Sequence, residues 1–435
     1  MLISCTLENW MSFRDQVTFS MVASRERQHN DRVPRIDKYK TRVLPIAAIY
    51  GGNASGKSNF CTALQFARTL VVEGVRFDSP IPVEPFLLDA ETAEQPVKFS
   101  FELLVGETIY EFSFAVTGKE VLEEKLIKIG KTDEEVLYHR CEGQPNFAES
   151  LADQDFLKFI FKSAAKNQLL LTSLVSQNAD AFSPVYSWFK DHLVLVGPDS
   201  YLQNIDAIFD APIGEMLDLL DTGITRLSFE KISFDSLPDS IKRFLREHVQ
   251  EGSTRRIPNE PIYASRQNGK FIVQKLVTHH PKADGTETKF DLYQESDGSQ
   301  RLIEILPAFF DVSSSGSKKV YVIDELDRSL HTLLVRHLIE MYLADCSNKT
   351  RSQVLLTTHD VLLMDQKLLR RDEMWVTERN LSGASTLFSF SEYKDARRDT
   401  DIRKSYLQDR LGGTPQIVLN ESFTALTTEE GATNG

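Results

Sequence analysis

One stretch of the sequence constrains the fold more than any other. Residues 51–58 read Gly-Gly-Asn-Ala-Ser-Gly-Lys-Ser and fit the pattern G-x-x-x-x-G-K-[ST] at every specified position. A strongly apolar run over residues 43–50 precedes this loop, and a helical pattern with apolar residues from Phe60 to Val71 on one face follows it. The order strand, glycine-rich loop, helix predicts an α/β fold with a phosphate-binding loop at the end of a buried strand.

The loop predicts a site for a nucleotide and its metal. Glycines let backbone N–H groups close around phosphates, and the helix that follows adds the positive end of its dipole. Lys57 is expected to reach the β- and γ-phosphates, and the Ser58 hydroxyl is expected to ligate Mg²⁺. The candidate nucleotide-binding residues of this segment are Gly51, Gly52, Asn53, Ala54, Ser55, Gly56, Lys57, Ser58 and Asn59.

A second apolar run ends in two carboxylates. Residues 320–323 are Val-Tyr-Val-Ile, and Asp324 and Glu325 follow them. Buried parallel strands are unbroken apolar runs, and ligands bind at their C-terminal ends. We therefore expect Asp324 to hold Mg²⁺, directly or through water, and Glu325 to polarise the attacking water.

Two further segments gain meaning from their position relative to this acidic strand. The apolar run over residues 353–358 leads into His359, about one βαβ unit further along, where an imidazole can contact the γ-phosphate. Ser296 and Gly298 precede a helical apolar pattern one helix upstream of the acidic strand. An S-x-G sequence in that place is by itself an ordinary helix N-cap, so only its position makes it a candidate site.

Charge and cysteine usage narrow the function classes. The 435-residue chain carries 50 Lys plus Arg against 63 Asp plus Glu, a net charge of −13, which excludes a general nucleic-acid coat protein but not a local basic groove. Its four cysteines form no CxxC pair, which argues against a zinc site and indicates a reduced, cytoplasmic protein. No apolar stretch reaches about 18 residues, so no membrane contact is expected.

Together these pieces resemble the ABC-type ATPase head, in the branch that contains SMC-like and OLD-type ATPases. The loop over 51–58 corresponds to Walker A, and residues 295–300 correspond to the ABC signature. Residues 324–325 correspond to Walker B, and His359 corresponds to the switch histidine. The resemblance implies an α/β P-loop ATPase head with an antiparallel β subdomain and a helical insertion.

More narrowly, the chain is similar over nearly its whole length to a bacterial family labelled as AAA-type, ABC-like ATPases. His331 stands in the D-loop position, where many ABC proteins have aspartate, and Gln95 is the candidate for the Q-loop glutamine. The similar stretches are residues 9–13, 50–59, 324–331 and 406–413.

The order of predicted strands and helices, together with the resemblance, suggests that the chain has four segments. The β-rich stretch after the first helix contains a predicted hairpin, with strands over 97–103 and 108–114. The expected segments are the N-terminal half of the ATPase head with its antiparallel β subdomain at 1–150, a helical insertion at 151–260, the C-terminal half of the head at 261–420 and a flexible tail at 421–435.

The resemblance also implies partners. In such heads the signature of one chain, through Ser296 and the Gly298 backbone, caps the γ-phosphate of ATP bound to Lys57 of the other. It thus implies a head-to-tail dimer or larger even oligomer, which Mg²⁺-ATP joins and hydrolysis releases. Many members of the resembled family serve in phage defence or abortive infection with a separate effector such as a nuclease. We therefore expect a nucleotide-dependent switch that controls such an effector.

Three other functions are alternatives on the sequence alone. A one-chain nuclease of OLD type is disfavoured, because only 435 − 359 = 76 residues follow His359 and the single D-x-D there, at 399–401, has no strand before it. An SMC-like ATPase that acts on DNA ends needs a basic groove, and a scaffold that barely hydrolyses would not need Glu325 and His359. Two basic clusters make DNA a candidate partner, although a solvated charged face is the better explanation of both: Arg255, Arg256 and Arg266, and Lys394, Arg397, Arg398, Arg403 and Lys404.

Overall fold

The phosphate loop leaves the middle of a six-stranded sheet. The computed structural model describes residues 1–141, 143–151, 153–198, 213–257, 260–393, 401–408 and 410–414. The neighbouring strands of this central sheet are, in order, Leu193–Val196 (β11), Val320–Ile323 (β17), Gln353–Thr357 (β18), Ile46–Tyr50 (β5), Met374–Arg379 (β19) and Ser385–Ser389 (β20). All of these neighbours pair in parallel except β19 and β20. The three apolar runs predicted as buried strands are thus confirmed as β5, β17 and β18.

Helices cover both faces of the central sheet. On β5, Ala47 and Ile49 belong to one buried cluster, whereas Ile46, Ala48 and Tyr50 belong to the other, as the two-residue period of a strand requires. The first cluster includes the helix after the phosphate loop, Lys57–Val72 (α1). The second includes the helices Asp297–Ser313 (α8) and Thr332–Asp345 (α9).

An antiparallel sheet packs into the cluster that contains α1. The predicted hairpin is confirmed in it, with Val105 opposite Thr108 at the turn. Phe101 and Phe112 of this hairpin are fully buried. In order, its seven strands are Gln144–Phe147 (β10), Glu134–Cys141 (β9), Val121–Ile129 (β8), Thr108–Val116 (β7), Val97–Val105 (β6), Leu2–Glu8 (β1) and Val17–Ser20 (β2).

A second antiparallel sheet forms a smaller lobe. The helix Asp239–His248 (α7) covers one face of it through Leu245, which shares a small buried cluster with Ala264 and Val273. The opposite face joins the main core through Tyr263 and Leu276. In order, its strands are Arg226–Ile232 (β12), Lys270–Pro281 (β15), Ile262–Gln267 (β14) and Thr254–Arg256 (β13), with Glu287–Asp291 (β16) also paired to β15.

The segment predicted as a helical insertion, 151–260, is helical as far as His192 and mixed after it. Within it β11 joins the central sheet, and β12 and β13 belong to the second antiparallel sheet. The four apolar residues of β11 are a short run whose parallel pairing with β17 depends on a segment far along the chain. The helical elements are Gln154–Ser163 (α3), Leu170–Ser176 (α4), Ser183–Ser187 (α5), the π-helix Trp188–His192 and Ile213–Leu219 (α6).

The remaining elements are short. They are the strands Arg35–Ile36 (β3) and Thr41–Arg42 (β4), the helices Ala90–Ala93 (α2) and Ile402–Leu407 (α10), and the 3₁₀ turns Asn30–Arg32, Asp37–Tyr39, Asp180–Phe182, Phe234–Ser236, Leu292–Gln294, Val361–Leu363, Arg371–Glu373 and Phe390–Glu392. Among the described residues, no helix combines the length and the apolar character that crossing a bilayer requires. The predicted tail at 421–435 lies outside the described residues, as do Lys394, Arg397, Arg398 and most of the D-x-D sequence.

Mixed α/β architecture is therefore confirmed, with the phosphate loop on a parallel sheet and antiparallel sheets beside it. The four segment boundaries proposed from the sequence stay predictions.

Candidate functional site

Glycines shape the loop between β5 and α1, residues 51–56. Gly51 has φ +148°, and a Cβ there would lie 2.5 Å from the carbonyl oxygen of Thr377 on β19. Gly56 has φ +114°, and a Cβ there would lie 2.7 Å from the Ser385 hydroxyl on β20. The loop therefore lies so close to the neighbouring strands that a larger residue at either position would clash.

Lys57 points back into the loop. Its Nζ donates hydrogen bonds to the carbonyl oxygens of Gly51 (2.7 Å) and Gly52 (3.0 Å). The side chain is buried, and burial lowers the pKa of Lys57 to about 8, although nearby carboxylates act in the opposite direction. The Lys57 ammonium is thus held against two carbonyl oxygens of the loop.

A threonine on β18 holds the Asp324 carboxylate and the Glu325 backbone, directly after β17. Thr357 Oγ1 donates to Asp324 Oδ1 (2.5 Å) and accepts from the backbone N–H of Glu325 (2.8 Å). Glu325 has φ +49°, a left-handed conformation that is costly for a residue other than glycine. The sequence reasoning did not single out Thr357, although it lies two residues before His359.

His359 lies between a cation and a carboxylate. Its Nδ1 is 3.3 Å from Lys57 Nζ, and its Nε2 is 3.9 Å from Glu325 Oε1. Its backbone N–H donates to Asp327 Oδ2 at 3.2 Å. Because an ammonium group only donates, Nδ1 accepts and the ring proton lies on Nε2, on the side of Glu325. The structure thus brings together three residues that the sequence had placed at the γ-phosphate.

A cavity of about 870 Å³ opens over the loop. Small-molecule sites are typically about 300–1,000 Å³ in volume. Of the predicted residues, 53–59, Glu325 and His359 line the cavity, whereas Gly51 and Gly52 lie behind it against the Lys57 ammonium. The other lining residues are Met11, Ser12, Val83, Glu84, Pro85, Phe86, Leu87, Leu88, Arg379 and Gly383.

Those additional residues form a rim that the sequence reasoning missed. The segment 83–88 is held at the cavity by a hydrogen bond from Met11 N to Glu84 O (2.6 Å). On the other side, Arg379 Nε donates to Gly383 O (3.1 Å). The only signal for this rim was the similarity of residues 9–13 to a known family.

Ser58, which lines the cavity, and Asp324, which is buried outside its lining, provide donor groups that fit a magnesium ion. Asp324 is 6% exposed, and Ser58 lies on the first turn of α1 and lines the cavity. Within the described ranges, no group of three or more His, Cys, Asp or Glu side chains could hold a metal by itself. Mg²⁺ in nucleotide sites uses one or two protein oxygens together with phosphate oxygens and water, so one carboxylate and one hydroxyl suffice.

The predicted signature residues lie elsewhere. Ser296 caps α8, and its Oγ accepts from the Ser299 N–H at 3.1 Å. A Cβ on Gly298 would lie 2.8 Å from Ser329 O, so the loop after Glu325 packs closely on the start of α8. Neither residue lines the 870 Å³ cavity of its own chain.

Arg301 connects α8 with the segment that follows β17 and begins with Asp324 and Glu325, here called the acidic loop. Its guanidinium donates to the carbonyl oxygens of Gly197 (3.0 Å), Asp324 (2.9 Å) and Glu325 (3.2 Å). The residue is 3% exposed, and burial lowers its pKa. The sequence reasoning gave Arg301 no role, because its acceptors are carbonyl groups far away in the chain.

Gln95 and His331, the residues assigned to the Q-loop and D-loop positions, make other contacts in the structure. Gln95 does not line the cavity, and its carbonyl accepts from Asn9 Nδ2 at 2.9 Å. His331 caps α9, where its Nδ1 accepts from Leu333 N at 3.1 Å. We assign His331 a helix-capping role.

Two residues of the first basic cluster, Arg256 and Arg266, make local contacts. Arg256 Nε donates to Glu260 O at 2.6 Å, and its guanidinium lies 5.9 Å from the centre of the Tyr263 ring. Arg266 lies 3.8 Å from Glu251 and 5.4 Å from the centre of the Phe271 ring. DNA as a partner stays a prediction.

Comparison with known proteins identifies one family, and the similar solved structures include two SMC heads of low sequence identity. A family model described as "AAA domain, putative AbiEii toxin, Type IV TA system" matches residues 46–365. The structure of an SMC head bound to the C-winged helix domain of ScpA is 12% identical in sequence to this chain. The match covers 89% of this chain and 97% of that chain, with a TM-score of 0.40. "SMC head domain from Thermotoga maritima" is 15% identical, with 89% and 98% covered and a TM-score of 0.32. No curated protein matches the sequence.

Proposed function

The chain belongs to this family of AAA-domain ATPases, and from that premise we propose that it is a Mg²⁺-dependent ATPase that acts as a nucleotide-dependent switch for a separate effector. One observation carries the chemistry: Lys57, Glu325 and His359, from three separate segments, converge at one cavity of nucleotide-binding size. A cation, a carboxylate and an imidazole at a phosphate loop are the groups that phosphoanhydride hydrolysis needs.

The phosphate loop and the first turn of α1 would bind the nucleotide. The N–H groups of residues 51–57 would surround the β- and γ-phosphates, and Lys57 would exchange its carbonyl contacts for phosphate oxygens. Asp324 and Ser58 would hold Mg²⁺, which supplies charge neutralisation for the phosphates. The rim formed by Ser12, residues 83–88 and Arg379 would contact the base and ribose.

Hydrolysis needs a base beside the attacking water. Water oxygen attacks the γ-phosphorus, Glu325 accepts the proton that the water loses, and the bond to the β–γ bridging oxygen breaks so that ADP leaves with that oxygen. The Nε2–H of His359 would donate to an oxygen of the γ-phosphate, where negative charge builds up. Thr357 keeps the Glu325 backbone in the required position.

The signature residues give the reason for proposing a dimer. Ser296 and Gly298 expose a helix start that does not contribute to the cavity of its own chain. In a head-to-tail dimer or larger even oligomer, that helix start would cap the γ-phosphate bound to a second copy. ATP would then favour the associated state and hydrolysis would reverse it.

The proposal also includes the kind of effector and the biological process in which it acts. The description of the family refers to a toxin and a toxin–antitoxin system, which supports a partner that kills or arrests the cell. We propose that this partner is a separate nuclease or toxin that acts in antiphage defence. We also propose a cytoplasmic location, since Cys5, Cys61, Cys141 and Cys346 are free thiols.

The test uses a variant that binds ATP without hydrolysing it. Glu325→Gln, tagged and captured from its own host, is analysed by native mass spectrometry with and without Mg²⁺-ATP. A second protein that comes or goes with nucleotide supports the switch and gives the mass of the effector. Homo-oligomers alone in both conditions would contradict the partnered switch, and bound DNA would favour an SMC-like role instead. Ser296→Arg in the same background should bind ATP but stay monomeric.

A further inference from the structure

The second antiparallel sheet leads directly into the predicted signature. Strand β16 ends at Asp291, the 3₁₀ turn Leu292–Gln294 follows, and Ser296 is already the N-cap of α8. Only Glu295 stands between the turn and the cap. The start of α8 is therefore connected to the sheet by a covalent path of a few residues.

Glu295 adds a side-chain connection along the same path. Its carboxylate accepts a hydrogen bond from Thr278 Oγ1 and lies 2.8 Å from His280 Nε2, and both partners are on β15. Its carbonyl accepts from Gln300 Nε2 at 2.9 Å, on the first turn of α8. One residue thus holds the middle of the sheet with its side chain and the signature helix with its backbone.

The burial of this contact indicates that it is rigid. The Glu295 side chain is 8% exposed, and Thr278 is fully buried. The His280 ring also packs edge-to-face on Phe290, with 5.0 Å between the ring centres. A buried carboxylate without its donors is costly, so the contact resists a separate movement of the sheet or of α8.

We propose that Glu295 is a positioning residue through which the second antiparallel sheet sets the place of Ser296 and Gly298. The inference rests on the proposed function, since Ser296 and Gly298 matter for catalysis only if they cap a nucleotide on a second copy. Under this assignment a partner that displaces β15 changes ATP-dependent association without touching the phosphate loop. The second sheet is then the regulatory lobe of the switch.

The same sheet offers a matched control. Glu287, on β16, pairs with Arg226 (2.7 Å) and lies 3.3 Å from His279, the neighbour of His280 on β15. This carboxylate–histidine contact has no link to the start of α8. Glu287→Ala therefore removes a carboxylate–histidine contact from the same sheet, at a more exposed position, without disturbing the proposed connection.

The experiment measures association and nucleotide binding separately, with both variants in the Glu325→Gln background. In Mg²⁺-ATP, Glu295→Ala should raise the dimer dissociation constant at least tenfold by analytical ultracentrifugation, whereas Glu287→Ala should leave it within twofold. Affinity of the dilute monomer for a fluorescent ATP analogue should stay within twofold for both. A merely structural role of Glu295 would lower the melting temperature of Glu295→Ala but leave the dimer dissociation constant of the folded variant at the parent's value.

Each outcome decides the inference. Dimerisation of folded Glu295→Ala at the parent's affinity would overturn it while leaving the proposed function intact. Failure of the Glu325→Gln parent itself to dimerise would overturn the proposed function, and the inference with it. Should Glu295→Ala not fold, His280→Ala provides the same test, because it keeps the carboxylate and its Thr278 contact. It should raise the dissociation constant at least threefold, and a parent-like value would again overturn the inference.

Discussion

Lys57 Nζ lies 3.3 Å from Nδ1 of His359, although 302 residues separate the two along the chain. The contact follows from the sheet, because β18 pairs in parallel with β5 and Thr357 lies opposite Ile49. Both strands therefore end at the same edge, where the loop after each can meet the other. The cation expected to bind phosphate and the histidine expected to sense the γ-phosphate thus contact each other.

The first prediction concerns the charge of Lys57. Burial lowers its pKa to about 8, so the ammonium form that a phosphate needs is lost from the free chain as the pH rises through about 8. We expect ATP affinity to be constant below that pH and to fall above it, by up to about tenfold per pH unit. Calorimetry at several pH values in two buffers of different ionisation enthalpy should also show proton uptake on binding.

Two substitutions at the same position complete this test. Lys57→Ala should weaken ATP binding by at least about 100-fold at pH 7, because it removes the buried cation. Lys57→Arg keeps a charge that does not titrate, so whatever affinity it retains should not depend on pH between 7 and 9. Normal affinity in Lys57→Ala would refute the assignment of the phosphate loop.

The second prediction concerns the base. Glu325→Gln keeps the shape of the side chain and its backbone contact with Thr357 but cannot accept a proton. Single-turnover hydrolysis should fall by about 10²- to 10⁴-fold, whereas ATP affinity should change little. Light scattering should show a dimer that accumulates with Mg²⁺-ATP. Brisk turnover in this variant would rule out Glu325 as the base.

Much of the candidate site could be predicted because its strands and its loop are contiguous segments of the sequence. The strands β17 and β18 are unbroken apolar runs, and a ligand at their C-terminal ends follows from the geometry of parallel sheets. Glu325 and His359 needed only that rule and the spacing of one βαβ unit. The phosphate loop is a contiguous motif whose glycines are required by close contacts with β19 and β20.

The rest of the site depends on contacts between distant segments, for which the sequence carries no local signal. The segment 83–88 reaches the cavity because Glu84 O accepts from Met11 N, and its composition does not reveal that contact. Arg301 is an arginine within an apolar helix, which by itself suggests an exposed position. Strand β11 is four apolar residues after a π-helix, and only its pairing with β17 makes it part of the central sheet.

The third prediction compares two histidines. His359→Ala removes the imidazole between Lys57 and Glu325 and should slow single-turnover hydrolysis about 100-fold, with ATP affinity within a few-fold of the parent. His331→Ala removes a cap from α9 and should cost about 1 kcal/mol of unfolding free energy while changing hydrolysis less than threefold. Equal loss of hydrolysis in both variants would contradict the different roles given to them.

The fourth prediction concerns Arg301, which joins α8 to the acidic residues after β17, Asp324 and Glu325. Arg301→Met keeps the apolar bulk but removes three hydrogen bonds, those that the guanidinium donates to the carbonyl oxygens of Gly197, Asp324 and Glu325. We expect a loss of about 2–4 kcal/mol in the free energy of unfolding, measured by urea denaturation, because hydrogen bonds from a buried charged donor are lost. Hydrolysis should fall more than ATP affinity, since the acidic loop moves while Lys57 does not.

Glu304 supplies the control for this substitution. It pairs with Arg301 at 3.4 Å, and burial raises its pKa to about 7, so the charged form is held only weakly near neutral pH. Glu304→Gln keeps the three carbonyl contacts of Arg301 and should therefore cost less than about 1 kcal/mol and leave hydrolysis near the parent rate. If Arg301→Met proves as stable and as active as Glu304→Gln, the carbonyl contacts do not hold the acidic loop. Stability and hydrolysis that fall together only in Arg301→Met would instead show that the position of Glu325 depends on α8.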